Sequence, residues 1–155
     1  MSVAELKTLA KDVRQLILDT VLENGGHLAS NLGIVECVVA MHYVFDTPED
    51  KFVFDVGHQC YAHKILTGRK DSFSTLRKCG GISGFPKREE SVYDVADTGH
   101  SSTSISLACG LARAAYHNGS DEEIVTLIGD GALTGGLSFE ALNDVNNTKH
   151  RQIII

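Results

Sequence analysis

Residues 124–132 read Ile-Val-Thr-Leu-Ile-Gly-Asp-Gly-Ala, a run rich in β-branched residues that passes through Gly129-Asp130-Gly131 into a helical pattern reaching about Val145. That order describes a buried parallel strand, a tight turn and a helix start. Ligands of open α/β sheets collect at the carboxyl ends of strands, where a helix start offers unpaired backbone N–H groups and a partial positive charge. Asp130 supplies the hard carboxylate oxygen that Mg²⁺ takes when it also binds phosphate oxygens. Gly129 and Gly131 allow a sharp turn and close backbone approach to a ligand. Taken alone, the tripeptide serves equally well as an ordinary strand-to-helix turn with Asp130 as a helix cap. A second group of residues suited to chemistry is the set of pairs Gly26-His27, Gly57-His58 and Gly99-His100, where a random order of 15 Gly and 7 His in 155 residues gives fewer than one. An imidazole at the end of an element can donate to a diphosphate or move a proton near neutral pH. Singly, each is the ordinary histidine beside a flexible turn, and His42, His63, His117 and His150 carry only that reading.

The elements that must position these residues follow from periodicity. Leu6, Leu9, Val13, Leu16, Ile17 and Val21 recur every three or four residues, predicting an amphipathic helix over 3–23 that Asn24-Gly25-Gly26 stops. Ser30-Asn31 reads as the N-cap of a second helix, Leu32–Phe45, apolar nearly all round and so expected to be buried. After the turn at 46–50, residues 52–56 predict a first strand ending at Gly57-His58, and short helices are expected over 59–66 and 72–78. Residues 79–98 hold three glycines, Pro86 and the cluster Lys87-Arg88-Glu89-Glu90 without periodicity, which predicts a long mobile loop of the kind used as a lid. A helix from about Ser104 to His117 carries Ala108, Gly110, Ala112, Ala114 and Ala115, small enough for close packing against a sheet or a partner. If the Phe52 and Ile124 strands are parallel neighbours, their carboxyl ends share one rim. The expected fold class is α/β, a parallel sheet with helices on both faces. The isoleucines at 153–155 read as a core strand cut off partway, so residues 1–155 are expected to form an incomplete domain.

Composition narrows the function classes. With 43% hydrophobic and 22% charged residues the chain has the make-up of a globular protein. A net charge of -6 without any basic run argues against general nucleic-acid affinity. Charged residues are scattered through 1–23, so no signal peptide or membrane span is read there and a cytosolic setting is expected. Cys37, Cys60, Cys79 and Cys109 are irregularly spaced with no Cys-x-x-Cys pair, as expected of incidental thiols.

The motifs, in order, are similar to those of the 1-deoxy-D-xylulose-5-phosphate synthase family within the transketolase-like superfamily. They are Gly26-His27-Leu28-Ala29-Ser30-Asn31-Leu32-Gly33, Asp55-Val56-Gly57-His58-Gln59, His63-Lys64-Ile65-Leu66-Thr67-Gly68-Arg69, Gly99-His100-Ser101-Ser102-Thr103-Ser104-Ile105-Ser106 and Gly129-Asp130-Gly131-Ala132. Transketolases share the layout but not the Gly-His-Ser-Ser-Thr-Ser run. The resemblance covers essentially all 155 residues and implies the amino-terminal part of a thiamine-diphosphate-binding, diphosphate-side domain. It implies a transferase that uses thiamine diphosphate and Mg²⁺ to condense pyruvate, with decarboxylation, and D-glyceraldehyde 3-phosphate into 1-deoxy-D-xylulose 5-phosphate, a first step towards isoprenoids and thiamine and pyridoxal precursors. By family pattern Asp130 is a Mg²⁺ ligand, and His58, Gly99, His100, Ser101, Gly131 and Ala132 contact the cofactor. His27 would stand beside the reacting carbon, for proton transfer or hydrogen bonding to a developing oxyanion. The second half of the superfamily's metal motif is an Asn pair after the next strand. Asn146-Asn147 comes too early, at the end of a helix, so that partner is expected beyond Ile155. The resemblance further implies a homodimer when complete. Residues for ring activation and for the substrate phosphate are not matched here, so the 155 residues alone are expected to be inactive. Two alternatives stay open: the amino-terminal part of a split transketolase-like enzyme, and a truncated remnant without catalysis.

Overall fold

A computed structural model describes residues 1–145 and 151–155; Asn146, Asn147 and His150 lie outside the described residues. The chain divides into two compact units, one of residues 1–46 with 58–85 and one of 47–57 with 86–155.

In the first unit the amphipathic pattern produces α1, Val3–Asn24, which buries Ala10, Val13, Ile17, Thr20 and Val21. Ser2 and Glu5 close a reciprocal capping box at its start, satisfying two of the backbone N–H groups a helix leaves open there. The single second helix expected over 32–45 is instead two, α2 (Leu28–Leu32) and α3 (Val35–Val44), with the break at Gly33-Ile34. Asn31 is therefore not an N-cap; it is a buried member of α2. Nor is α3 buried all round, since Val35, Val38, Val39 and Met41 face inward while Tyr43 and Val44 are exposed. Apolar composition does not set burial when one face of a helix meets no neighbour. The short helix expected at 59–66 appears as α4, Tyr61–Lys64, running into a wide turn over Ile65–Arg69 that bends at Thr67-Gly68. Only Phe73–Thr75 of the expected 72–78 helix forms, as a single tight turn. Helix α1 packs on α3 and α4.

The second unit is built on a parallel sheet of order β1-β2-β3 among the described residues: β1 (Lys51–Phe54), β2 (Ile124–Leu127) and β3 (Ile153–Ile154). Lys51 to Phe54 pair in register and in parallel with Ile124 to Leu127, which meets the condition for their carboxyl ends to share one rim. Helix α5, Ser104–Asn118, lies against both, with Ala108 and Ala112 in one cluster with Val53 and Ile124. Small side chains on that face let the helix come close to the sheet, as the sequence predicted. Gly119, in the left-handed conformation, ends it. Beyond β2 the expected single helix is again two, α6 (Asp130–Leu133) and α7 (Gly136–Val145), separated by Thr134-Gly135. Helix α7 packs on α5 through Ile105, Cys109 and Ala141. The segment from Cys79 to Thr98 contains no helix or strand. All four cysteines are free thiols, two of them buried. The described fold is α/β with an open parallel sheet.

Candidate functional site

The structure gathers the residues singled out in the sequence into two groups, one in each unit. In the first unit, the His27 and His58 rings meet edge to face with centroids 5.1 Å apart, and Phe85 stands 6.0 Å from His27. Their backbones are tied by one side chain. Asn31, 1% exposed, donates from Nδ2 to the carbonyl oxygens of His27 (2.6 Å) and His58 (2.9 Å), while its Oδ1 accepts from the N–H of Tyr61 (3.0 Å). The Tyr61 hydroxyl accepts from the N–H of His27 at 3.3 Å. That hydroxyl also explains Gly26, because a Cβ there would stand 2.8 Å from it, at a backbone φ of +144°. With the backbone so held, Nδ1 of His27 is buried and has no hydrogen-bond partner among the described residues. A polar atom left in that state is the kind of group a ligand satisfies.

In the second unit the organising residue is Asp55, which follows β1 and is fully buried. Its N–H continues the ladder to Leu127 O. Its carboxylate accepts from the N–H of Ser102 (2.9 Å), the N–H of Ser104 (3.1 Å) and the Ser104 hydroxyl (2.6 Å). Several donors stabilise a charge that burial would otherwise penalise. The Ser102 hydroxyl in turn donates to Ala132 O at 2.7 Å. Thus the end of β1, the Gly99–Ser104 run and the Asp130 turn are joined by one chain of hydrogen bonds. Gly57, at φ +88°, is required here because a Cβ would meet Thr98 Oγ1 at 2.2 Å and Pro86 Cδ at 2.5 Å.

The remaining predicted residues lie on open surface around that chain. Asp130 is exposed at the start of α6, and one of its carboxylate oxygens accepts from the N–H of Gly131 at 2.9 Å. Gly99, His100, Ser101 and Gly131 are exposed and Ala132 is half-buried. Nδ1 of His100 lies 3.1 Å from Ser101 O.

The chemistry of these residues is compatible with one hard oxygen ligand for a cation beside an open backbone surface that an anion could approach. Asp130 offers a hard oxygen, and the space where a Cβ of Gly131 would stand has no atom within 4 Å. No group of three or more His, Cys, Asp or Glu side chains able to hold an ion occurs among the described residues, so an ion at Asp130 would draw its further oxygens from a ligand or from other residues. Sequence reasoning assigned no part in the site to Asn31, which it read as a helix cap, or to Asp55 and Ser102, nor to Tyr61 and Ser104 that bond to them. Asp55 had one visible signal, a carboxylate directly after an otherwise apolar strand. Asn31 and Ser102 had none beyond membership of the quoted motifs.

Comparison with known proteins bears on what this arrangement serves. A family model described as 1-deoxy-D-xylulose-5-phosphate synthase matches residues 1–155. A protein of that name from Syntrophotalea carbinolica is 59% identical over 155 residues, covering 100% of this chain and 24% of the relative. One from Clostridium kluyveri is 57% identical over 155 residues, covering 100% and 25%. A Geobacter sulfurreducens protein named 1-deoxy-D-xylulose-5-phosphate synthase 1 is 56% identical over 151 residues, covering 97% and 24%. The chain spans about a quarter of the length of these relatives.

Proposed function

Because the chain belongs to the 1-deoxy-D-xylulose-5-phosphate synthase family, we propose that it is the diphosphate-holding part of a transferase that condenses pyruvate, with loss of CO₂, and D-glyceraldehyde 3-phosphate into 1-deoxy-D-xylulose 5-phosphate. The observation that supports this most directly is the exposed Asp130 turn at the carboxyl rim of β2, tied through Ser102 to the Gly99–Ser101 run. Asp130 then ligates Mg²⁺, and the Gly131 and Ala132 backbone with Gly99, His100 and Ser101 borders the diphosphate. His58 adds a further cofactor contact. The buried Nδ1 of His27 is the atom that accepts, donates or holds a proton near the reacting carbon. Bound thiamine diphosphate supplies the electron sink for decarboxylation and carbon–carbon bond formation. In this reading residues 1–155 are the amino-terminal part of the diphosphate-binding domain, residues 79–98 act as its lid, and the working enzyme is a homodimer.

A chimera provides the test. This chain replaces the matching quarter of the Syntrophotalea carbinolica relative, and product formation from pyruvate and D-glyceraldehyde 3-phosphate is measured with thiamine diphosphate and Mg²⁺. The chimera is expected to be active, Asp130→Ala to abolish cofactor retention, and His27→Ala to retain cofactor while turnover falls by about 10²-fold or more. An inactive chimera that nevertheless folds and binds cofactor would overturn the proposed reaction. Equal loss of cofactor in both variants would overturn the division of roles.

A further inference from the structure

We propose that Ser102, anchored by Asp55, is a positioning residue that fixes the Asp130 turn. This rests on the reading of Asp130 as the metal ligand. Helix α6 is four residues long and has no buried residue, so neither its own hydrogen bonds nor packing hold it in place. Its tether is one carbonyl. Ala132 O accepts from the Ser102 hydroxyl at 2.7 Å, from the Ser138 hydroxyl at 3.1 Å and from the N–H of Gly135 at 3.2 Å. Ser102 is the donor that links this carbonyl to the sheet, because its own N–H is bound by the buried carboxylate of Asp55.

The backbone at Ser102 carries a second mark of this role. Its φ is +69°, a left-handed conformation that glycine adopts freely and serine seldom does. In that conformation the N–H lies on Asp55 while the hydroxyl lies on Ala132. A turn residue without a task for its side chain would be glycine here, so the strain points to the hydroxyl. The opposite surface is shaped to match. A Cβ at Gly135 would stand 2.2 Å from Ser102 Oγ and 2.8 Å from its Cβ, so the chain at 135 carries no side chain where Ser102 reaches in. A metal-ligating carboxylate must be held within about 0.5 Å of its working position, and an exposed four-residue helix does not achieve that unaided.

Ser102→Gly separates this role from ordinary structural support. Glycine relieves the strained φ, so the melting temperature of the chimera carrying Ser102→Gly is expected to hold or rise. Loss of the hydroxyl is expected to free the turn, with the amides of Leu133, Thr134 and Gly135 exchanging about tenfold faster while those of Val125 and Leu127 in β2 are unchanged. Mn²⁺ affinity in the presence of thiamine diphosphate, followed by electron paramagnetic resonance, is expected to weaken by a similar factor. Unchanged exchange at the turn would overturn the proposal, as would acceleration shared equally with β2. If the chimera without the substitution takes up no Mn²⁺ with thiamine diphosphate, the metal role of Asp130 falls, and amide exchange still decides whether Ser102 holds the turn.

Discussion

Asn31 shows how much can depend on one buried amide. It has two N–H donors and one oxygen, and each is used: two carbonyls of the candidate site histidines and the N–H of Tyr61. Asn31→Asp keeps the shape but removes both donors and buries a carboxylate against two carbonyl oxygens. Such a change is expected to cost about 3 kcal/mol of stability, read by urea denaturation. A loss below about 1 kcal/mol would show that the clamp carries little. A different residue pair sets a pH dependence. His42 and His63 stack with centroids 5.1 Å apart and ring nitrogens at 3.0 Å. Burial first, and then the neighbouring His63, push the pKa of His42 down to about 4. The unfolded chain therefore takes up this proton at higher pH than the folded one. Stability is whole above about pH 6.5 and falls as pH drops from there towards 4, by up to about 3 kcal/mol in full. Denaturation midpoints between pH 7 and 4.5 should show this loss, and His42→Gln should flatten it.

At the scale of elements, the strands and α5 were legible because period and small-residue pattern are local properties of the chain. The breaks at Gly33-Ile34 and Thr134-Gly135 were missed although glycine marks both, at Gly33 and at Gly135-Gly136, because an apolar helical pattern resumes on the far side of each and a glycine by itself does not say whether a helix stops or merely continues. The segment 79–98 carries its own test. Within it the Lys87 N–H donates to Asp94 and the Arg88 N–H to Asp97, and Arg88 also pairs with Asp97 at 3.7 Å with both side chains largely exposed. Exposed ion pairs of this length contribute little, and although Asp94 is buried and Val95 packs against the Val53 and Ala108 cluster, Lys87 and Arg88 themselves are exposed, which makes them the stretch a protease reaches first. Trypsin is expected to cut the chimera first after Lys87 or Arg88, and thiamine diphosphate with a pyruvate analogue to slow that cut several-fold. Equal cleavage with and without ligands would count against a lid.

For the molecule as a whole, the second unit leaves apolar side chains in water. Leu137, Phe139 and Ile155 are 44%, 56% and 43% exposed. In the described sheet, β1 and β3 are both edge strands. Open edges and uncovered apolar side chains favour association, and a net charge of -6 does not cover them. The purified 155-residue chain is expected to elute as an oligomer or to bind a hydrophobic dye, by size exclusion with light scattering and by fluorescence. A sharply melting, dye-negative monomer would refute this. No helix among the described residues is long and apolar enough to cross a membrane.

The sequence by itself determined the family, the α/β class, the two principal strands and the turn at Asp130, because each is written in contiguous runs of residues, while the pairing of the strands and the exposure of the turn came from the fold. What only the tertiary structure decided is how those runs are fastened together. Asn31 joins positions 27, 58 and 61, and Asp55 joins 102 and 104, across as many as 49 residues of chain. Nothing local marks Asn31 as a clamp rather than a cap, since the same amide serves either use until its partners are in place. Ser102 follows the same rule: its left-handed backbone and its hydroxyl bond both arise from contacts with Asp55 and Ala132, which only the folded chain brings within reach.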